Sequence, residues 1–264
     1  MADAPDGFSP RAQQDRRFTS GDESSFRIHR LKKRSGGFRT IYVPADATMA
    51  TLRGIVPLIN AVQVANCGPW VHGFFPGRSP VTNAKPHIGQ AWTLTADLSD
   101  FFDSVRAPHL EAYLDPSILD QVLVDGATRQ GLPTSPPCAN LAAIGMDAEI
   151  TSTWPELIYT RYADDLSFSG MDKDRLLQVR AVLPNLVARH GFVLHPHKTN
   201  LQDARFGRRV ITGCAVGQTA IHATSRHRRR LRAALHSNPG GLRAQGLGNW
   251  AEYVETTSSK DALQ

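Results

Sequence analysis

Residues 26–31 and 38–43 are short runs rich in aromatic and β-branched side chains, with Ser35-Gly36-Gly37 between them and Pro44 after the second. Runs of this kind, punctuated by glycine, predict a strand pair joined by a turn. The spacing then changes. Leu52, Ile55, Leu58, Ile59 and Val62 recur three or four apart, which predicts a helix over 48–65. Residues 92–98 form a compact apolar run ending at a carboxylate, a buried strand by pattern. Pro136-Pro137 opens a helix with Leu141, Ile144 and Ala148 as its apolar positions. Residues 158–162 and 166–169 flank Ala163-Asp164-Asp165, which predicts a hairpin with two acids at its tip. Asp172 is placed to cap a helix with an apolar face of Leu176, Val179, Leu183 and Leu186, and His190-Gly191 ends it. Two further strands are expected at 192–195 and 208–217, and 224–264 reads as mostly helical. Residues 1–24 are polar and read as a loose lead-in. This order of strand, helix, hairpin, helix and strand predicts an α+β fold, one sheet with helices on one face.

Composition narrows the classes. The chain has 264 residues, 41% of them hydrophobic, enough for a packed core. No run of 18 apolar residues occurs, so no membrane span is expected. Met1-Ala2-Asp3-Ala4-Pro5 lacks the basic-then-apolar pattern of a signal peptide. Cys67, Cys138 and Cys214 have no metal-type spacing and suit a reducing cytoplasm rather than a disulfide framework. The net charge of +6 is unevenly spread: residues 1–45 carry +4, 46–203 carry −5, 204–251 carry nine arginines and no acid, and 252–264 carry −2. Basic flanks attract polyanions, and an acidic centre suits divalent metal. The plainer account of the 204–251 run is a soluble protein with an uneven surface.

Asp97 ends one expected strand, and Asp164 and Asp165 sit in a hairpin tip. Adjacent strands of one sheet would gather the three. Carboxylates in such a group hold hard cations, and two such ions activate a hydroxyl and stabilise a leaving oxygen in phosphoryl transfer. An Asp-Asp turn alone does not decide this, because Asp side chains also satisfy turn backbone.

The surrounding residues do. Arg161-Tyr162-Ala163-Asp164-Asp165-Leu166-Ser167-Phe168-Ser169-Gly170 resembles the catalytic box of bacterial reverse transcriptases. Five more blocks follow the same family order. Lys32-Lys33-Arg34-Ser35-Gly36-Gly37-Phe38-Arg39-Thr40-Ile41 with Pro44 resembles the fingers motif, and His72-Gly73-Phe74 with Gly77-Arg78-Ser79 the next block. Asp97-Leu98-Ser99-Asp100-Phe101-Phe102 resembles the first carboxylate motif. Gln130-Gly131-Leu132-Pro133-Thr134-Ser135-Pro136 with Asn140-Leu141 resembles the template-and-nucleotide motif, and Gly191-Phe192 with Lys198 the lysine motif. Two further elements, Asn83-Ala84-Lys85-Pro86-His87 and Ile211-Thr212-Gly213, resemble those of the retron branch. The Asn83/His87 pair reads either as a hydrogen-bonded loop anchor or as a holder of a dedicated RNA.

The resemblance implies a right-hand polymerase with an antiparallel palm sheet backed by helices. Fingers would span 1–91, palm 92–217 and a short basic thumb 218–264, with part of 106–155 folding back into the fingers. It implies Asp97, Asp164 and Asp165 as ligands of two Mg²⁺ ions (Mn²⁺ a possible substitute), with the Leu98 carbonyl as a further oxygen. Lys33 (or Lys32) and Arg39 would meet the dNTP triphosphate, with the Asp100 and Phe101 amides beside it. Phe102 would exclude a ribose 2′-hydroxyl, or else be a core aromatic. Gln130 and Gly131 would flank nucleotide and template base, and Lys198 would serve the leaving pyrophosphate. Thr128-Arg129 departs from the family's usual Leu-Pro. The helix begun by Ser225-Arg226-His227-Arg228-Arg229-Arg230 would track duplex phosphates, and Gly246–Tyr253 resembles the later thumb helix. Implied partners are a structured RNA template and scaffold, the RNA–DNA duplex, dNTPs and an effector protein, with no membrane. The implied product is branched RNA–DNA (msDNA), in antiviral defence. The alternatives are a non-retron bacterial reverse transcriptase, defence-associated or intron-like, an RNA-templated RNA polymerase, or a catalytically silent RNA-binding module of the same fold.

Overall fold

The computed structural model describes residues 25–33 and 36–259, so the lead-in at 1–24, the turn position Ser35 and residues 260–264 lie outside it. Strands β1 (Phe26–Lys32) and β2 (Phe38–Pro44) pair antiparallel along their whole length. The Lys33 N–H donates to the Gly37 carbonyl at 3.0 Å, closing the turn. Helix α1 (Asp46–Asn66) follows, then the short α2 (Pro80–Ala84), started by a capping box between Ser79 and Thr82. After the 3₁₀ turn Lys85–His87 come β3 (Trp92–Asp97), α3 (Phe101–Ser104), α4 (Pro116–Val122), α5 (Ser135–Ala142) and α6 (Ile144–Thr153). The hairpin β4 (Ile158–Tyr162) and β5 (Asp165–Gly170) precedes α7 (Lys173–Arg189) and β6 (Asn200–Asp203). A small meander, β7 (Arg209–Ile211), β8 (Cys214–Val216) and β9 (Ile221–Ala223), leads to α8 (Ser225–Ser237) and α9 (Leu242–Ser259).

The central sheet runs β4-β5-β3-β6, antiparallel throughout. Leu94, Ala96, Leu166 and Phe168 meet Leu176, Val179, Leu183 and Leu186 of α7 and Leu141, Met146 and Ile150 of α5 and α6 in one core. Each large apolar side chain buried there contributes roughly 1.5–3 kcal/mol of transfer free energy. A second, smaller core joins Val81 and Ala84 of α2 to Ile211, Cys214, Val216 and Ile221 of the meander and Val254 of α9. The fold is α+β, an antiparallel sheet backed by helices.

Several expectations are corrected. Residues 192–195 form no strand; only Leu194 bridges, to Leu98. The strand beside β3 is β6 instead, which follows the turn closed by the Lys198 N–H donating to the His195 carbonyl at 3.3 Å. The stretch 208–217 is the hairpin β7–β8, turned at Thr212 and Gly213 with φ of 44° and 79°. The helix opened by Pro136-Pro137 breaks at Ala143, and α6 buries Met146, Asp147 and Ile150 while Ala148 faces solvent. Leu58 of α1 is also exposed. By length and composition α1 could cross a membrane. Here it lies on α5, α4 and β2, and it buries Gln63 in a polar network with Asn140 of α5.

Candidate active site

The site is assembled by strand register. Asp97 is the last residue of β3 and pairs directly with Asp165, the first of β5. Tyr162 pairs with Asp165, so Ala163 and Asp164 form a two-residue turn, with Ala163 at φ 57°. The Leu98 N–H donates to the Asp164 carbonyl at 2.9 Å, fixing the turn beside β3. The Asp97 carbonyl accepts the His195 N–H at 2.7 Å. Asp97 and Asp165 thus stand on adjacent strands, with Asp164, 67 positions after Asp97, in the turn beside them.

Their electrostatics follow. Surrounding protein pushes the Asp164 carboxyl above its usual range, and repulsion from Asp97 adds to this. Asp165 rises to about 6, first from desolvation, then from the charges of Asp164 and Asp97. Lys198 opposes both shifts, and Arg39 opposes that of Asp164. The Lys198 ammonium donates to both oxygens of Asp97 at 2.9 Å. Among the described residues no three His, Cys, Asp or Glu side chains close into an ion-binding group. With Asp97 turned to Lys198, the carboxylates are neighbours rather than a finished shell. The donor set still fits a hard cation: three carboxylates, two on paired strands and one in the turn beside them, with Asp164 and Asp165 made less acidic by burial and crowding.

A buried polar network lies under the turn. The Arg161 guanidinium, fully buried, donates to both Asp147 oxygens at 2.8–3.1 Å, to Asn140 Oδ1 at 2.9 Å and to the Ala163 carbonyl at 3.2 Å. Tyr159 donates to Asp147 at 2.7 Å, and Asn140 donates to the Gly73 carbonyl at 2.9 Å. The sequence reading assigned no role to Asp147, Tyr159 or Gln63. A charged residue inside an apolar helix, Asp147 between Met146 and Ile150, was the available signal. Gly73 itself abuts the turn, where a Cβ would lie 2.1 Å from the Ala163 nitrogen.

The β1–β2 hairpin reaches the same place. The Tyr42 N–H donates to the Gln130 carbonyl at 2.8 Å. Gly131, at φ 108°, sits so close to β2 that a Cβ would lie 2.2 Å from the Tyr42 oxygen. Lys33 stands 3.7 Å from Asp100, whereas Lys32 is exposed at the strand end. Asp100 is left-handed, φ 45°, immediately before α3. Phe101 is buried against Phe192, while Phe102 is half-buried and packs against Phe74, ring centroids 5.8 Å apart at a tilt of 42°. The departure at Thr128-Arg129 acts as a clamp. Thr128 Oγ1 donates to the Phe102 carbonyl at 2.6 Å, and Arg129 pairs with Asp103 at 2.9 Å.

His87 and Asn83 are fully buried. The His87 ring bridges Ser169 Oγ at 2.7 Å and Thr160 Oγ1 at 2.8 Å, and Asn83 donates to Thr212 at 3.4 Å. The anchor reading holds for their side chains, and the two retron-like elements meet each other. Arginines 226, 228, 229, 230 and 232 of α8 are all exposed.

Residues 31–208 match the family model described as reverse transcriptase (RNA-dependent DNA polymerase). The retron Mx65 reverse transcriptase of Myxococcus xanthus is 35% identical over 78% of this chain and 54% of its own length. The retron Ec86 reverse transcriptase of Escherichia coli is 31% identical over 89% of this chain and 77% of its own. The chain therefore spans about half of the first relative and three quarters of the second. A solved telomerase from Candida albicans shares the fold, with a TM-score of 0.57 at 12% identity over 75% of this chain and 45% of that one. With the matched segment covering β2, the three carboxylates and Lys198, the chain belongs to the reverse transcriptase family, in its retron type.

Proposed function

We propose that the chain is an RNA-directed DNA polymerase that extends a hydroxyl primer with dNTPs. The observation that carries it is the pairing of Asp97 with Asp165 beside the Asp164 turn, next to a fingers hairpin that presents Lys33 and Arg39. When bound, divalent metal, two Mg²⁺ ions on this reading, would lower the primer hydroxyl's pKa and neutralise the shifting phosphate charge. Asp97, Asp164 and Asp165 with the Leu98 carbonyl would hold it. Lys33 and Arg39 bind the triphosphate and stabilise charge moving toward the leaving group. The primer hydroxyl gives its proton to solvent water, and its oxygen forms the bond to the α-phosphorus as the bond to the bridging oxygen breaks. Pyrophosphate leaves, and Lys198, released from Asp97, supplies a proton to it. Phe102, propped by Phe74, takes the ribose side of the nucleotide and favours dNTP. Residues 26–91 serve as fingers, 92–217 as palm and 218–259 as the thumb, whose α8 arginines grip duplex phosphates.

The retron relatives support a finer reading: a cognate structured RNA as template and scaffold, and a branched RNA–DNA product in defence with an effector protein. The three free thiols suit a reducing cytoplasm. The test is dNTP incorporation on poly(rA)·oligo(dT) with Mg²⁺. Wild type extends the primer and Asp164→Asn loses at least a thousandfold in rate. Equal extension by both, or none by either, ends the reading. Sequencing the nucleic acid that co-purifies with the chain tests the finer one.

A further inference from the structure

Trp92 begins β3, five residues before Asp97 and so about 17 Å from the acids. Around it an open groove of about 580 Å³ is lined by Lys173, Asp203, Arg205, Phe206 and Arg208. The Lys173 ammonium lies 5.2 Å from the Trp92 ring centroid, and the Arg205 guanidinium lies 5.6 Å from it. The same guanidinium is 5.9 Å from the ring of Phe206, and Asp203 holds it in place through Nε and Nη2 at 2.7–3.2 Å. Phe206 is 90% exposed, so it contributes almost nothing to either core. Two cations thus lie over aromatic rings at the outer edge of the sheet, beside its edge strand β6.

We propose that this groove binds an unpaired nucleotide of a structured RNA, away from the polymerase cleft. Unstacked bases lie on aromatic rings and on guanidinium planes, and Phe206 and Arg205 offer one of each. Lys173 and Arg208 are exposed at the rim and meet phosphate. Four cations, Lys173, Arg205, Arg208 and the buried Arg209, line the groove with one carboxylate, and that carboxylate is already paired to Arg205. This charge favours a polyanion over an apolar protein face. The volume falls in the range of small-ligand sites, which accommodates one nucleotide. The site would hold the RNA as a scaffold while α8 and the carboxylates work on another part of it. It rests on the reading that the chain carries an RNA.

The test uses the full chain and a 12-nucleotide single-stranded RNA containing 4-thiouridine. Excess poly(rA)·oligo(dT) fills the cleft. Irradiation should join the RNA to the peptide containing Arg205, Phe206 and Arg208. Phe206→Ala should weaken 12-mer affinity about tenfold, equivalent to about 1.4 kcal/mol, and Phe206→Tyr should restore it. Asp164→Asn should leave the cross-link intact. If wild type fails to extend a primer yet gives this cross-link, the polymerase reading falls and the groove stands. Cross-links elsewhere, with equal affinity for wild type and Phe206→Ala, overturn the proposal. So does a Phe206→Ala variant that keeps its RNA affinity but shifts from dimer to monomer in sedimentation, which gives the surface to a second copy of the chain.

Discussion

Asp165 is held against its own chemistry. Its carboxyl titrates at about 6 where an ordinary one titrates near 3.8, because packed protein and two more acids surround it. A carboxyl raised in the folded state adds stability that is whole below about 3.8 and is lost as pH rises past about 6. At neutral pH, without metal, the group therefore works against folding. Its side chain reaches solvent, so screening keeps the effect near 1 kcal/mol. Asp165→Asn in a chelating buffer should melt a few degrees higher than wild type at pH 7.5, and the gain should vanish at pH 4. Added Mg²⁺ should narrow the difference by stabilising wild type more. Identical melting curves at pH 7.5 would contradict the crowding. Arg161 shows the opposite arrangement. Its charge is fully buried but matched by Asp147, and the pair spends one donor on the Ala163 carbonyl that shapes the turn. Arg161 was legible only as a letter of the catalytic box. Its partner lies 14 positions away in a helix, and no local pattern links the two.

Between elements, backbone meets backbone at glycine. Gly131 touches β2 beside the hydrogen bond from the Tyr42 N–H to the Gln130 carbonyl. Gly131→Ala adds a methyl against the Tyr42 oxygen at a φ of 108°, which alanine adopts poorly. The two core clusters lie elsewhere, so the hairpin should shift rather than the palm unfold. The expected result is a tenfold or larger rise in KM for dNTP, with a melting temperature within a few degrees of wild type. A normal KM would show that the contact does not place the fingers. Elements with strong periodicity and chemical ends were readable in advance: α7 between Asp172 and Gly191, and the β4–β5 hairpin. The break at Ala143 was not, because alanine favours helix and only tertiary packing parts α5 from α6. β6 was hidden for a related reason. Asn200-Leu201-Gln202-Asp203 has little strand character of its own and is a strand because β3 offers it an edge. The carboxylates were legible as motifs, while Lys198 closing onto Asp97 depends on charge balance in three dimensions.

Across the whole molecule, the 3₁₀ turn at His87 is where three parts join. His87 ties the α2 segment to β4 and β5, its carbonyl accepts Arg209 of the meander at 2.8 Å, and Asn83 reaches Thr212. Burial pushes the His87 imidazole down to about 3, and the charges of Arg209 and His72 add to that. His72 falls to about 4, through burial and then Arg78. A histidine depressed in the folded state gives stability that is present above about 6.5 and is lost as pH falls toward its folded value. Unfolded chains take up both protons below 6.5 and the folded chain refuses them. Stability should therefore drop between pH 6.5 and 5 by up to about 1.4 kcal/mol per pH unit for each proton. Urea unfolding at fixed pH measures this directly. His87→Asn should be less stable at pH 8, having lost a bridging ring, yet show a slope smaller by about one proton's worth. A slope that survives the substitution would mean that His87 takes its proton in the folded state. The joint between the β4–β5 hairpin, α2 and the meander would then be held by the Arg209 and Thr212 contacts rather than by a neutral ring.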